Sequence, residues 1–183
     1  MSQSPTTPPA DRPLIDGLAR FNERDHREAV KALHACCGSE VWAAAVAAGR
    51  PYATVEDLFR AAQDTWFLLP EGEWLEAFAH HPRIGERKLD SARFAATAAQ
   101  SAREQSGMDA ATDDQRHEFE NLNARYAERF GHVFLICATG KSAAFMLDQL
   151  RRRLVNEAHT ELHTAAQEQS RITRIRLERM LAS

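Results

Sequence analysis

The stretch TVEDLFRAAQDTW, residues 54–66, carries the helical pattern that indicates the fold of the whole chain. Its apolar side chains recur at the i, i+3, i+4 spacing of an amphipathic helix, and they are Val55, Leu58, Phe59, Ala62 and Trp66. Thr54 can cap this helix, since Thr54 and Asp57 together resemble a capping box. Pro70 and Gly72 then end the segment.

Comparable segments occur along the rest of the chain. Apolar residues at helical spacing, bounded by capping residues, glycine or proline, predict further helices that begin near Pro13, Asp25, Ser39, Trp74, Leu89, Thr112, Ser142 and Glu157. The run HVFLICA, residues 132–138, is the one β-like segment, and its buried backbone would need partners from helix ends or from a ligand. We predict an all-α, single-domain bundle of about seven to nine helices with one short extended segment.

Length and composition agree with a single helical domain over residues 13–183, preceded by a disordered Ser/Thr/Pro-rich tail at residues 1–12. The chain has 183 residues, of which 44% are hydrophobic, and a net charge of −3 with both signs interspersed. No basic stripe predicts nucleic-acid binding, and no apolar run is long enough for a membrane span. Three cysteines, two of them adjacent, predict reduced thiols in a cytoplasmic protein, and the C-terminus lacks the Ser-Lys-Leu peroxisomal address.

The stretch AHHPRIGE, residues 79–86, places a histidine at a predicted helix end. Pro82 cannot continue the helix, and it restricts His81 to an extended conformation. A histidine titrates near neutrality and can both give and take a proton. With Arg83 and Glu86 following, the stretch predicts an acid/base group beside an anion site. The alternative is that His-Pro only ends a helix.

A second polar set lies near the C-terminal end of the Ala-rich helix predicted from Leu89. Ser101, Glu104 and Gln105 would share one region of that helix and offer a hydroxyl, a carboxylate and an amide. Such groups suit the N–H and C=O groups of a small heterocycle. Taken alone, the set is better explained as an ordinary polar helix face.

Three further patterns resemble functional motifs but are better explained as structural features. The sequence Gly-Lys-Ser at 140–142 lacks the upstream glycine of a phosphate loop. His159 and His163 share a helix face and could bind a metal, but Thr160 stands where the metalloprotease pattern requires glutamate, and no neighbouring cysteine or histidine completes the set. We therefore predict a solvated face and no metal site. The run of three arginines at 151–153 is likewise predicted to be solvated.

Four short motifs, taken in order, point to one family. They are His81-Pro82, Ser101-x-x-Glu104-Gln105, Leu122-Asn123-x-x-Tyr126-x-x-Arg129-Phe130-Gly131-x-x-Phe134-Leu135-Ile136-Cys137, and Arg171-Ile172-x-x-x-Arg176-Leu177. In this order and spacing they resemble the OHCU decarboxylase family of ureide metabolism. OHCU is 2-oxo-4-hydroxy-4-carboxy-5-ureidoimidazoline, and the family's product is (S)-allantoin. The resemblance covers residues 14–181.

The resemblance implies a carboxy-lyase of uric acid degradation that needs neither a cofactor nor a metal. By position, the catalytic residues that it implies are His81, Glu104 and Arg176. The substrate-binding residues that it implies are Pro82, Ser101, Gln105, Phe134, Leu135, Ile136, Cys137 and Ala138. Apart from the resemblance, the long final helix could form the seam of a homodimer.

The chain departs from the family pattern at three places on the expected rim of the pocket. Arg83-Ile84 stands where the family often has Asp-Leu, Gly107-Met108 replaces Ala-Gly-Leu, and His132-Val133 replaces an aromatic residue and a proline. These differences bear on selectivity among ureides more than on the chemistry.

The implied substrate suggests a mechanism. Its carboxylate leaves a carbon next to a ring C=N, so the released electrons can delocalise into the substrate itself. We expect Arg176 to bind an anionic oxygen or a ring carbonyl, Glu104 and Gln105 with the backbone of residues 135–138 to fix the ring, and His81 to act as general acid/base.

Two alternatives stay open at this point. One is a helical interaction module without chemistry, and the other is a metal hydrolase that uses His159 and His163.

Overall fold

The computed structural model describes residues 12–85 and 98–183, and within them the chain is helical with no β-strand. The α-helices are α1 (Arg12–Glu23), α2 (His26–Cys37), α3 (Glu40–Ala48), α4 (Val55–Leu68), α5 (Glu71–Ala79), α6 (Ala98–Glu104), α7 (Asp113–Phe130), α8 (Ala143–Arg153) and α9 (Ala158–Ala182). A 3₁₀ turn at Ser106–Met108 follows α6. The predicted all-α fold is confirmed.

Two predictions fall partly outside the described residues. The predicted tail, residues 1–12, lies outside them except for Arg12, which is the first residue of α1. The predicted helix from Leu89 to Gln105 is described only from Ala98 onward, as α6. Among the residues that are described, no helix is both long and apolar enough to cross a membrane.

Helix α9 is the central element, and α1, α2, α4 and α7 pack on it. Its buried side chains recur along the whole length of the helix, and they are Glu161, Ala165, Ala166, Gln169, Ile172, Thr173, Arg176, Leu177 and Leu181. Burial of each large aliphatic side chain contributes about 1.5–3 kcal/mol, so this face is a main source of stability. Several members of the set are polar, which is unusual for a core face.

Three tryptophans join helices α3, α4, α5 and α9 through side-chain hydrogen bonds. The indole N–H of Trp42 donates to the carbonyl of Ala62, and that of Trp66 donates to the carbonyl of Ala166, each at 2.9 Å. Trp74 in α5 donates in the same way to the carbonyl of Trp66, also at 2.9 Å. Buried indoles need such partners, and these bonds orient α5 against α4 and α9.

The helix ends follow the sequence signals. Thr54 accepts a hydrogen bond from the backbone N–H of Asp57, and Thr112 forms the full reciprocal capping box with Gln115. After α7 the backbone of Gly131 is left-handed, with φ of 75°, which is a conformation that glycine adopts without steric cost.

The segment 133–138 is extended and has no partner strand among the described residues. Its side chains alternate between two apolar clusters. Leu135 and Cys137 pack into the cluster formed by α1–α5 and α9, whereas Phe134, Ile136 and Ala138 pack into the cluster formed by α7 and α8. An extended chain points successive side chains to opposite sides, so a segment buried on both sides must be apolar throughout.

The contact between α1 and α9 generates a stability prediction. A Cβ added to Gly17 would lie 1.8 Å from the carbonyl oxygen of Leu181, so Gly17→Ala must push the two helices apart. A Cβ added to Gly72, in the first turn of α5, would meet no atom within 4 Å. We expect Gly17→Ala to lower the free energy of unfolding by about 2 kcal/mol or more, and Gly72→Ala to raise it by about 0.5 kcal/mol. Urea titration measures both. Equal stability of the two variants would contradict the close contact.

Candidate active site

The histidine corner lies at the end of α5. The helix ends at Ala79, His80 is its C-cap, and the backbone N–H of His81 still donates to the carbonyl of Phe78 at 3.0 Å. His81 is only 7% exposed, and Pro82 after it is also buried. Pro82 cannot continue the helix, so the His81 side chain is held at a fixed turn rather than on a regular helix face.

A cavity that is partly open to solvent lies beside this corner, and its empty space, solvent opening included, is about 300 Å³. The residues that line it come from the corner, from α6 and the residue after it, from the extended segment and from α9, and they are His81, Pro82, Ile84, Ser101, Glu104, Gln105, Phe134, Leu135, Ile136, Ala138 and Ile172. The structure therefore brings together most of the site residues that the sequence suggested. Ile84 and Ile172 are additional apolar lining. Cys137 and Arg176, both suggested by the sequence, do not line the cavity.

Arg176 binds Glu104 rather than facing the cavity. Nε of Arg176 donates to Oε1 of Glu104 at 2.9 Å, and Nη2 donates to Oε2 at 2.8 Å. The arginine is 2% exposed and the glutamate 6% exposed. Arg179 adds a longer contact to the same carboxylate at 3.4 Å. The buried two-point contact joins α6 to α9 and fixes the orientation of the Glu104 carboxylate.

His81 is neutral at physiological pH. Burial and, to a smaller extent, the positive charge of Arg176 together lower the pKa of the imidazole from 6.5 to about 3, while a hydrogen bond with the side chain of Gln169 opposes the change. A charged imidazole would lose hydration in this position and would face a guanidinium. The ring is therefore present as a base that can accept a proton.

Two buried polar atoms on the cavity wall belong to a suggested acid/base residue and a suggested binding residue. Nε2 of His81 and Oγ of Ser101 are buried and have no hydrogen-bond partner in the described part of the chain. An unsatisfied buried polar group costs about 1–3 kcal/mol, so it usually has a role. A polar ligand in the cavity would satisfy both atoms.

The extended segment is held by side chains, not by the helix ends that the sequence suggested. Nη1 of Arg153 donates to the carbonyl of Leu135 at 2.6 Å, and the backbone N–H of Cys137 donates to Oε2 of Glu168 at 2.7 Å. Nζ of Lys141 donates to the carbonyl of Cys137. The carbonyl of Ala138 also accepts from the backbone N–H of Lys141 at 2.9 Å, and the carbonyl of Val133 lies 3.0 Å from Nδ1 of His132. The amides of Ile136 and Ala138, which line the cavity, have no partner within residues 12–85 and 98–183.

The prediction that Arg153 is solvated is wrong. Arg153 is 6% exposed, and its Nε and Nη2 donate to Oε1 of Glu161 at 2.8 and 2.5 Å. Glu161 is fully buried and also accepts hydrogen bonds from the hydroxyl of Tyr126 and from the side-chain amide of Asn156. A helical-periodicity signal was present, since Arg153 lies three residues after the buried Leu150. This network anchors the arginine that holds the cavity wall.

Two amide side chains hold the loop that follows His81. Nδ2 of Asn123 donates to the carbonyl of Ile84 at 3.0 Å, and the backbone N–H of Gly85 donates to Oε1 of Gln105 at 3.2 Å. Gln105 therefore uses its carbonyl oxygen within the protein, and its NH₂ group has no partner among residues 12–85 and 98–183. Asn123, on α7, was part of the quoted motif but was given no role from the sequence.

These features define an all-α protein with a largely buried polar pocket around a neutral histidine. The family model described as OHCU decarboxylase matches residues 22–178. The chain belongs to the OHCU decarboxylase family, a family of carboxy-lyases, which confirms the family and the enzyme class predicted from the sequence.

Three similar proteins illustrate the relationship. The uric acid degradation bifunctional protein TTL of Arabidopsis thaliana is 36% identical over 149 residues, which are 80% of this chain and 45% of that protein. The matched part of this chain thus spans less than half the length of the plant protein. The 2-oxo-4-hydroxy-4-carboxy-5-ureidoimidazoline decarboxylase of Mus musculus is 35% identical over 146 residues, covering 77% of this chain and 79% of that protein. A crystal structure of OHCU decarboxylase in the presence of (S)-allantoin superposes with a TM-score of 0.70 at 29% identity, over 82% of this chain and 96% of that one.

The depressed pKa of His81 predicts acid sensitivity of the fold. In the unfolded chain His81 takes up a proton near pH 6.5, whereas in the folded chain its pKa is about 3. Stability is therefore lost as the pH falls from about 6.5 towards 3, and the loss from pH 7 to 5 is about 2 kcal/mol for this residue. We expect the free energy of unfolding of His81→Asn, from urea titrations at both pH values, to fall by about 2 kcal/mol less than that of the parent. Equal losses would show that His81 is not buried as a neutral ring.

The network around Glu161 supplies another prediction. Glu161→Gln leaves the buried guanidinium of Arg153 without a charge partner, so we expect the free energy of unfolding to fall by about 3 kcal/mol. The control is Glu118→Gln, which breaks an exposed ion pair with Arg151 and should cost less than about 1 kcal/mol. Urea titration of the two variants distinguishes them. A Glu161→Gln protein as stable as the control would mean that the network does not anchor Arg153.

Proposed function

We propose that this member of the OHCU decarboxylase family converts 2-oxo-4-hydroxy-4-carboxy-5-ureidoimidazoline into (S)-allantoin without a cofactor, with His81 as general acid/base. The single observation that carries the proposal is the buried Nε2 of His81, which has no partner in the described part of the chain although the residue lines a cavity. A neutral imidazole nitrogen that has no hydrogen-bond partner among the described residues can exchange a proton with a bound ligand.

The substrate supplies its own electron sink. When the bond to the carboxylate breaks, CO₂ leaves and the electron pair delocalises into the adjacent ring C=N, and one proton is taken up overall. His81 assists by accepting a proton from the substrate and returning one to the ring carbon. Because Pro82 fixes the position of the imidazole ring, the proton reaches the ring carbon of the substrate from one face. This sets the S configuration. General acid/base assistance of this kind contributes about 10²–10⁴-fold.

The negative charge of the substrate would act on the low pKa of His81. Arg176 contributes to the depressed pKa of His81, and a substrate carboxylate in the cavity would offset that positive charge. Burial is the larger cause of the depressed pKa and stays in place, so binding of the substrate would raise the imidazole pKa only by the contribution of Arg176. The anionic substrate itself would thus raise the basicity of the imidazole.

We assign Arg176 and Glu104 revised roles. Two guanidinium nitrogens of Arg176 are bonded to Glu104, so the arginine acts as a positioning residue and as a source of positive potential rather than as the direct ligand of a substrate oxygen. Oε1 of Glu104 accepts from both Arg176 and Arg179, whereas Oε2 accepts only from Arg176 among the described residues and keeps a lone pair that suits a ureido N–H.

The rest of the ring is held by neutral donors and apolar walls. The NH₂ of Gln105 and the amides of Ile136 and Ala138 are suited to the ring and ureido carbonyls, and Ser101 to either kind of group. Phe134 and Leu135 supply apolar surface on the same wall. We propose that Cys137 contributes through its backbone bond to Glu168, which fixes the wall, rather than by contact with the ring.

The location and the partners of the enzyme are inferred from its cysteines, its net charge and the packing of α9. We propose a cytoplasmic location and no nucleic-acid partner, in line with three free, buried cysteines and a net charge of −3. A homodimer stays a prediction. The apolar face of α9 packs inside this chain, so a seam on α9 would have to use its polar face.

Family membership favours the enzyme over a non-catalytic interaction module. The metal-hydrolase alternative has no support at the pocket, because neither His159 nor His163 lines the cavity.

The direct test is turnover of freshly prepared substrate by His81→Asn. We expect the rate of CO₂ release to fall by about 10²–10⁴-fold, because the proton-transfer group is lost while the fold is kept. Circular dichroism follows the helical content of the variant and the chirality of the allantoin formed. His117→Asn is the matched control, since His117 is exposed on α7 and should leave turnover unchanged. Parent-like turnover by folded His81→Asn would remove the proposed role.

A further inference from the structure

A cluster of metal-binding side chains lies outside the cavity. Glu71, His159 and His163 each place one ligand atom so that the three atoms lie within 4.8 Å of one another. Glu71 is the first residue of α5, whereas the two histidines lie one turn apart near the start of α9. The imidazole rings have centroids 4.5 Å apart, and Trp74 packs edge-on against His163 at 5.1 Å.

The third donor changes the interpretation of the histidine pair. The sequence indicated an isolated pair on a solvated face, because the completing residue was sought nearby in the sequence. The fold instead supplies a carboxylate from another helix. Two imidazoles and one carboxylate are the donor set that zinc accepts at sites with three protein ligands, where a water takes the fourth position.

We propose that Glu71, His159 and His163 bind a divalent transition-metal ion, with Zn²⁺ as the representative case. Glu71 and His159 are exposed, so their side chains can rotate to shorten the present separations to those of a coordination sphere. The first turns of α5 and α9 both present partial positive charge that opposes a cation. The binding energy must therefore come from the ligand bonds, so affinity should depend on all three residues.

The position of the cluster gives the ion a structural role. It would join α5, whose end leads to His81, to α9, which carries Arg176. None of the three ligands lines the cavity. The ion would therefore stabilise the packing of two helices that hold the active site without taking part in the reaction. This inference is independent of the proposed function.

Calorimetric titration of the metal-free full chain with zinc chloride tests the proposal. We expect one ion per chain, and an affinity at least ~10-fold lower for Glu71→Gln and for His163→Asn. Glu76→Gln is the control for the carboxylate, because Glu76 is an exposed acid of the same helix outside the cluster. His117→Asn is the corresponding control for the imidazoles. Both controls should bind zinc as the parent does.

A melting curve with and without zinc gives a second readout. Zinc should raise the melting temperature of the parent and of both controls, and should leave that of His163→Asn unchanged. The proposal is overturned if the parent binds no zinc, if Glu71→Gln binds as tightly as the parent, or if the controls lose affinity as the cluster variants do.

Discussion

The buried pairing of Arg176 with Glu104 is the interaction on which the rest of the site depends. It joins the short helix α6 to the central helix α9 by two parallel hydrogen bonds in a place that water does not reach. The contact closes one side of the cavity and places a positive charge near His81. Breaking either partner would leave an uncompensated buried charge, which is costly in such surroundings. The same pair thus joins two helices and contributes to the lowered pKa of His81.

The extended segment forms another wall of the cavity, and apolar packing together with side-chain hydrogen bonds holds it in place. Because its side chains are buried alternately in two apolar clusters, a shift by one residue would exchange the side chains between the clusters and disturb the packing of both. Its polar groups are held by Arg153, Glu168 and Lys141, so the wall is rigid without a partner strand. The backbone amides of Ile136 and Ala138 are therefore held at fixed positions relative to a ligand in the cavity. Preorganised donors of fixed direction are the usual way in which a protein orients a small polar substrate.

Local patterns predicted the helical part of the structure well. Helical spacing and capping residues such as Thr54 and Thr112 depend only on neighbours in the sequence, and the structure shows them acting as expected. The histidine corner was also predictable, because Pro82 restricts its neighbours whatever the rest of the chain does. Order and spacing of short motifs then identified the family, although each motif alone was ambiguous.

Pairings between distant residues could not be predicted in this way. Periodicity alone does not tell that Arg176 binds Glu104, or that Glu168 binds the backbone of Cys137. Arg153 was misassigned because its two neighbours are exposed arginines, yet its spacing from Leu150 placed it on the buried face. Buried polar residues at core positions of a helix, such as Glu161, are the signal that such pairings exist.

We propose that a ligand completes the hydrogen bonding of the buried, neutral His81. A crystal structure of this chain with (S)-allantoin is the decisive measurement. We expect allantoin in the cavity, with one of its polar atoms within about 3 Å of Nε2 of His81. Allantoin bound at another place, with Nε2 of His81 still unpartnered, would contradict it.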